Sequence, residues 1–152
     1  SCAVRPGSVH ALLGENGAGK TTLMRVAFGM LQADAGVMHR DGRPLRLASE
    51  REAIAAGIGM VHQHFELVPA FTVAENAALG GHGRFDARTT ARRVRELAEA
   101  TGLGIDPEAR VADLPVGAQQ RAEILRALAH DAQVLILDEP TAVLTPRESE
   151  EL

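Results

Sequence analysis

The sequence predicts an α/β fold: a parallel-rich sheet with flanking helices and an inserted helical block. Three observations carry this. Short apolar runs alternate with helical patterns near both ends of the chain. A glycine-rich stretch, "GENGAGKTT", stands between one such run and the helical pattern after it. Residues 64–130 are nearly all of helical character.

In order, "SVHALLG" (8–14) is a short apolar run and predicts a buried strand. Residues 20–31 follow with Leu23, Val26, Ala27 and Met30 at helical spacing. Asp41-Gly42 between two short extended runs predicts a hairpin within residues 36–47. Ser49 and Glu52 have capping-box spacing, so a short helix should end near Gly57. "IGMV" (58–61) predicts a second buried strand, followed by "HQHF". Thr72 and Glu75 make another capping box, opening a helix to about Leu79. Residues 80–86 are a loop. Ala91, Val94, Leu97 and Ala98 form one apolar stripe, so residues 88–100 are an amphipathic helix with its arginines outside. Pro107 ends that region, and residues 116–130 form the next helix. "VLILDEP" (134–140) predicts a buried strand ending in two acids. Thr145, Pro146 and Glu148 then start a last helix.

A chain of 152 residues suggests one domain or part of one. It opens on "SCAVRPGS" with no leading element and stops at "PRESEEL" just inside a helix, so we expect a fragment truncated at both ends. We expect one domain over 1–152: a nucleotide-binding core at 1–63, a helical subdomain at 64–130, and a return to the core at 131–152. The net charge of −4, with no basic block, weighs against nucleic acid as the main partner. No apolar run reaches the roughly 18 residues of a membrane span. Cys2 is the only cysteine, so no internal disulfide is possible.

The chemistry starts with "GENGAGKTT", which matches G-x-x-x-x-G-K-[ST] between a strand and a helix. Gly14, Asn16, Gly17, Ala18, Gly19, Lys20, Thr21 and Thr22 are the expected phosphate-binding residues. Glycines let the backbone wrap closely, so successive N–H groups face a phosphate. The helix N-terminus adds roughly half a positive charge. Lys20, the only lysine in the chain, would reach the β- and γ-phosphates, and the Thr21 hydroxyl would hold Mg²⁺. The competing view is a chance glycine loop. Asp138, at the end of a strand, can hold Mg²⁺ through water. Glu139 should point the other way from the strand and could polarise the attacking water as a general base. Without the loop, both acids would be a solvated strand end. His62 and His64, one residue apart on an extended segment, make a poor metal pair and are expected to be loop residues.

A phosphate loop, Gln63 after a strand, a "GAQQR" helix start and "LILDEPT", in that order, resemble the ATP-binding-cassette (ABC) ATPases, the motors of ABC transporters. The resemblance covers nearly the whole chain and implies a P-loop NTPase core. It implies that Gln63 touches Mg²⁺ and links the core to a membrane partner. It also implies that "LPVGAQQR" is a signature motif, in which Pro115, Val116, Gly117, Ala118 and Gln119 contact ATP bound to the opposite subunit. Three positions depart from the usual motif: Pro115 stands for a serine, Val116 for a glycine and Ala118 for a glutamine. A proline-started structural helix is the alternative there. Thr145 stands where many members have aspartate.

"GIGMVHQHFELVPAFTVAENAALG" with "PTAVLTPRE" looks like the first ATPase half of importers for nucleosides or simple sugars, and "VHQHF" leans toward nucleosides. The resemblance implies ATP and Mg²⁺ as ligands and a second ATPase half in a head-to-tail dimer. It further implies transmembrane permease subunits, an indirect extracytoplasmic solute-binding protein, and a place on the cytoplasmic face of the cell membrane. The family's adenine-stacking aromatic would lie before Ser1 and its γ-phosphate histidine after Leu152. A nucleotide-gated module with little hydrolysis, or a soluble cassette ATPase outside a transporter, are the alternatives.

Overall fold

The computed structural model describes residues 2–80 and 86–140. Two small sheets organise it. The first is a hairpin of β1 (Met38–Arg40) and β2 (Arg43–Leu45), paired antiparallel. Asp41 and Gly42 both have positive φ, 50° and 75°, as a two-residue hairpin turn of the primed type requires. The second sheet pairs β3 (Ile58–Val61) and β4 (Val134–Leu137) in parallel, with Ile58 opposite Val134 and Val61 opposite Leu137. Everything between residues 61 and 134 therefore leaves the sheet and returns to it.

The helices are α1 (Lys20–Ala27), α2 (Glu50–Ala55), α3 (Val73–Ala78), α4 (Ala87–Thr101) and α5 (Val116–Ala129). In α2, Ser49 Oγ accepts the Glu52 N–H, while the Glu52 carboxylate reaches back to the Ala48 N–H rather than to Ser49. In α3 the capping box is complete: Thr72 Oγ1 accepts from Glu75 N–H at 3.1 Å and Glu75 Oε2 from Thr72 N–H at 2.7 Å. Asp86 caps α4 through Thr89 N–H at 3.0 Å, and left-handed Gly102 ends it.

Strand β3 is buried on both faces and divides the core. Ile58 and Met60 face a cluster with Phe28, Leu47, Ala53 and Ile136. Val61 faces the larger cluster built from α3, α4 and α5, with Val94 and Leu125 fully buried. Gly59 belongs to that second face. A Cβ there would stand 3.1 Å from the Ala127 Cβ and 3.0 Å from the Ala132 Cβ. Its bare backbone is what lets α5 lie this close to the sheet.

Three expectations need correction. Residues 8–14 form no strand; Val9 and Leu13 are 102% and 89% exposed. An apolar run becomes a strand only when a neighbour completes its ladder, and among the described residues none pairs with it. The buried side of α1 runs through Met24, Ala27 and, beyond the helix, Phe28 and Met30, whereas Leu23 is 46% exposed. Residues 64–130 are less helical than their periodicity suggests. Residues 64–71 and 102–115 contain no α-helix, only a 3₁₀ turn at Val111–Asp113. These stretches fasten to each other instead, through Val111 N–H to Phe71 O and Ala112 N–H to Pro69 O, while Val73 at the start of α3 donates to Ala109 O. Most of the 80–86 loop and the Thr145 cap lie outside the described residues.

Candidate functional site

The glycine-rich loop takes its shape from two residues with positive φ, Gly17 at 82° and Gly19 at 87°. Ala18 N–H closes the turn on Glu15 O at 3.1 Å. Gly14 packs closely on the loop: a Cβ there would stand 3.3 Å from the Ala18 Cβ. Gly19 is the N-cap of α1 and offers no side chain to its first turn. Lys20 Nζ donates to Gly14 O at 2.8 Å and Glu15 O at 3.0 Å, so the ammonium lies across the loop.

One side-chain contact ties this loop to a strand end, and a second joins the two strand ends to each other. Thr21 Oγ1 donates to Asp138 Oδ1 at 3.1 Å across 117 residues of sequence. Gln63 Nε2 donates to Glu139 Oε2 at 3.0 Å. Asp138 is buried, and its N–H adds one more rung to the sheet by donating to Val61 O at 3.0 Å. Strand alternation would send Glu139 to the opposite face. The chain leaves the extended conformation there, at φ 50°, and Glu139 turns to the same pocket. A non-glycine residue in that region is uncommon and stores strain. Asn16, Gly17, Gly19, Lys20, Thr21 and Thr22 line one side of the pocket, and Gln63 and Glu139 the other; its volume is about 370 Å³. Gly14 and Ala18 do not line it.

The second predicted segment lies elsewhere. None of residues 115–119 lines that pocket. Pro115 is the N-cap of α5 rather than its first helical residue, and no side chain caps this helix among the described residues. Ala118 and Gln119 N–H both donate to Pro115 O. Gln119 Nε2 bonds back to Leu114 O at 2.9 Å. Val116 is 42% exposed, while Gly117 and Ala118 are buried.

His62 and His64 do not act together. The His62 ring meets Phe28 edge-on, with centroids 5.9 Å apart, and its Nε2 lies 3.6 Å from Glu66 Oε2; His64 is exposed. Sequence reasoning missed the buried polar residues Asn76, Gln120 and Glu123. Burial pushes the Glu123 carboxyl above its ordinary range, against the pull of Arg126 and of the Glu66 N–H. The signal was present as one acid inside the apolar run "AEILRALA".

Chemically, the pocket offers backbone donors, the Lys20 ammonium, threonine hydroxyls and the Glu139 carboxylate, with the Asp138 carboxylate bonded to Thr21. Comparison with known proteins gives the family. The chain matches the ABC transporter family over residues 1–142. It is 52% identical to the guanosine import ATP-binding protein NupO of Bacillus subtilis over 98% of this chain and 30% of that protein. It is 49% identical to the nucleoside import ATP-binding protein NupA of Lactococcus lactis subsp. cremoris, with the same coverage. The chain thus spans about 30% of the length of these relatives. Among solved structures it is similar to cbiO1 of Clostridium perfringens, part of an ABC transporter complex. The TM-score is 0.74 and the identity 30%, over 91% of this chain and 57% of that one. A dimeric bacterial ABC transporter cassette matches at TM-score 0.73 and 26% identity, over 90% of this chain and 62% of that one. With the loop, the two strand-end acids and these matches together, the chain belongs to the ABC transporter family and has the P-loop fold of its ATP-binding cassettes.

Proposed function

We propose that the chain is the nucleotide-binding part of an ATP-hydrolysing subunit that powers import of a nucleoside, or failing that a simple sugar. One observation carries the reading: the contacts Thr21–Asp138 and Gln63–Glu139 gather three distant segments around one pocket. The nucleoside preference rests on the two relatives named for guanosine and nucleoside import. Residues 1–63 and 131–152 would form the core and 64–130 the helical subdomain.

In this reading the loop N–H groups of residues 16–22 and the Lys20 ammonium bind the phosphates of ATP. Lys20 exchanges its bonds to the Gly14 and Glu15 carbonyls for phosphate oxygens. Thr21 Oγ1 and Asp138 Oδ1 are hard oxygens 3.1 Å apart, and Gln63 lines the same pocket as Thr21; such a set suits Mg²⁺. Gln63 gives its amide N–H to Glu139, so its oxygen remains for the metal. Bound there, Mg²⁺ would neutralise phosphate charge. Glu139 takes the proton of the attacking water, oriented by its bond from Gln63. The first turn of α5, residues 115–119, serves the ATP of a second cassette in a head-to-tail dimer. Transmembrane permease subunits, and through them an extracytoplasmic solute-binding protein, complete the assembly at the cytoplasmic face of the membrane. Nucleic acid is no partner. Pro115 favours a second reading, a nucleotide-gated module with little hydrolysis, because it offers no hydroxyl to a γ-phosphate.

The test is phosphate release and nucleoside uptake by the full-length protein with its membrane subunits. Glu139→Gln keeps shape and removes the base; it should retain ATP and lose about 10²–10⁴-fold in turnover. ATP binding without measurable wild-type turnover would select the gated module. Turnover unaffected by Glu139→Gln would refute the assignment of the base.

A further inference from the structure

The segment between Gln63 and α3 belongs to neither sheet, yet side chains hold its backbone at alternate residues. Asn76 of α3 accepts the Val68 N–H at 2.7 Å and donates to the Val68 carbonyl at 3.1 Å. Two residues earlier, Glu123 Oε1 of α5 accepts the Glu66 N–H at 2.6 Å, and Arg126 Nη1 donates to the Glu66 carbonyl at 3.2 Å. Arg126 Nη2 also faces Glu123 Oε2 at 3.1 Å. Both backbone groups of Glu66 are thus gripped by one helix, from residues 57 and 60 positions away.

Glu123 is fully buried, at 0% exposure, between Ala122 and Ile124. Packing alone does not require a carboxylate there. A buried ion pair is often no more stable than apolar residues of the same volume. What Glu123 does beyond packing is satisfy a peptide N–H that no ladder satisfies. The peptide it holds stands three residues beyond Gln63, and the helix that holds it begins with residues 115–119. His62 braces the other flank, with its ring on Phe28 and its Nε2 near Glu66.

We infer that Glu123 is a positioning residue for Gln63: with Arg126 it fixes the Glu66 backbone to α5 and so sets where the Gln63 amide stands against Glu139. This rests on the roles proposed above for Gln63 and Glu139. Glu123 does not touch the pocket. Its effect runs through the loop of residues 63–66, which has one rigid anchor at the end of β3 and a second at Glu66. Removing the second leaves Gln63 on a tether held at one end.

The experiment is a double-mutant cycle in the full-length protein, with kcat and KM for ATP measured for Gln63→Ala, Glu123→Ala and the pair. Glu123→Ala should lower kcat between about tenfold and 10²-fold, the scale of a small misplacement of reacting groups. KM should change less than kcat, within about threefold, since the Lys20 ammonium and the loop N–H groups that bind the phosphates lie outside residues 63–66. The double mutant should be no slower than Gln63→Ala alone, because both changes act through one group. Glu123→Gln keeps an acceptor for the Glu66 N–H and should recover most of the rate. An unchanged kcat in Glu123→Ala, or losses that multiply in the double mutant, would overturn the inference. If Glu123→Ala does not fold, Arg126→Gln takes its place in the cycle with the same outcomes. A Gln63→Ala protein as fast as wild type would overturn the site reading itself and the inference with it.

Discussion

Helices α1 and α5 begin differently from α2, α3 and α4. Ser49, Thr72 and Asp86 each place a side-chain oxygen on an N–H of the first turn of their helices. Gly19 and Pro115 place none. Orphan donors at a helix start are normally satisfied, because leaving them bare costs stability. Among the described residues, the two α-helices without a side-chain cap are the one that follows the glycine-rich loop and the one that starts at residues 115–119. The contrast separates ends closed by a side-chain acceptor from ends without one, which under the proposed function serve an anion. The physical distinction lies in the cap residue. Serine, threonine and aspartate carry an acceptor that competes with any ligand for the same N–H groups, and glycine and proline carry none.

The largest test acts on the uncapped end of α1. Lys20→Ala removes the cation together with its bonds to the Gly14 and Glu15 carbonyls. Charge-assisted hydrogen bonds contribute about 1.5–3 kcal/mol each, so Mg-ATP affinity should fall by roughly ten- to 10²-fold or more. Titration calorimetry against the wild type measures it, with circular dichroism to verify the fold. Equal affinity would break the comparison at its first member, since the donors of α1 would then have no anion to serve.

A capped end should respond in the opposite way. Thr72→Ala removes one acceptor and opens the reciprocal box with Glu75. Stability should drop by about 1 kcal/mol, within the 0.5–2 kcal/mol typical of such caps. ATP affinity should not change. A shift in denaturation midpoint with an unaltered binding isotherm is the expected pair of results. A loss of ATP affinity comparable to that of Lys20→Ala would remove the distinction between the two kinds of helix start.

Legibility from sequence followed range. The phosphate loop was readable because its requirement is local: glycines where φ is positive, then Lys20 and Thr21 on the first turn. The caps at Ser49 and Thr72 were readable for the same reason, as was the Asp41-Gly42 turn. The strand at 58–61 was readable from its run of apolar residues; its partner at 134–137 was readable as a strand but not as the buried one expected, since Val134 and Leu137 are each 40% exposed and only Ile136 is buried. What failed depended on neighbours. Residues 8–14 have the pattern of a strand, but pairing is not written in a pattern. The periodicity of 64–130 concealed the segments that fasten to one another by backbone bonds. Glu139 was expected to follow strand alternation, and its positive φ was not visible in the letters. Glu123, Arg126 and Asn76 act on backbone groups far away in sequence or out of period, so no spacing rule pointed to them.

A smaller effect comes with acid. The Thr89 N–H holds the Asp86 carboxyl below its ordinary pKa of 3.8. The sign follows from linkage: a depressed folded value means the unfolded chain binds the proton more readily. The cap's contribution is therefore present above the unfolded value and is lost as pH falls through the folded one. Asp86→Asn keeps an acceptor without the charge and should flatten this part of the acid stability profile. Thermal melts of both proteins between pH 5 and pH 2 would measure it. Identical slopes would show that the capping oxygen, rather than its charge, stabilises α4.

The smallest expected change in stability is also the sharpest probe of α5. Pro115→Ser installs the side-chain acceptor that this helix lacks. A serine cap is worth about 0.5–2 kcal/mol over residues that cannot accept. Against that, Pro115 sits at φ −63°, the value its ring prefers. Giving up that restraint on the unfolded chain costs about 0.4–1 kcal/mol. The two terms nearly cancel, so the denaturation midpoint should barely move. Turnover need not follow stability. If the first turn of α5 meets the phosphate of a facing cassette, the new hydroxyl can donate to it, and the full-length protein should hydrolyse ATP severalfold faster. Each 1.4 kcal/mol gained in the transition state corresponds to roughly tenfold. If α5 only packs, the hydroxyl turns inward to the Ala118 N–H and the rate stays where it was. Phosphate release with the membrane subunits present, alongside the midpoint, separates the cases. A faster enzyme of unchanged stability places α5 with α1; a more stable protein with an unchanged rate places it with α2, α3 and α4.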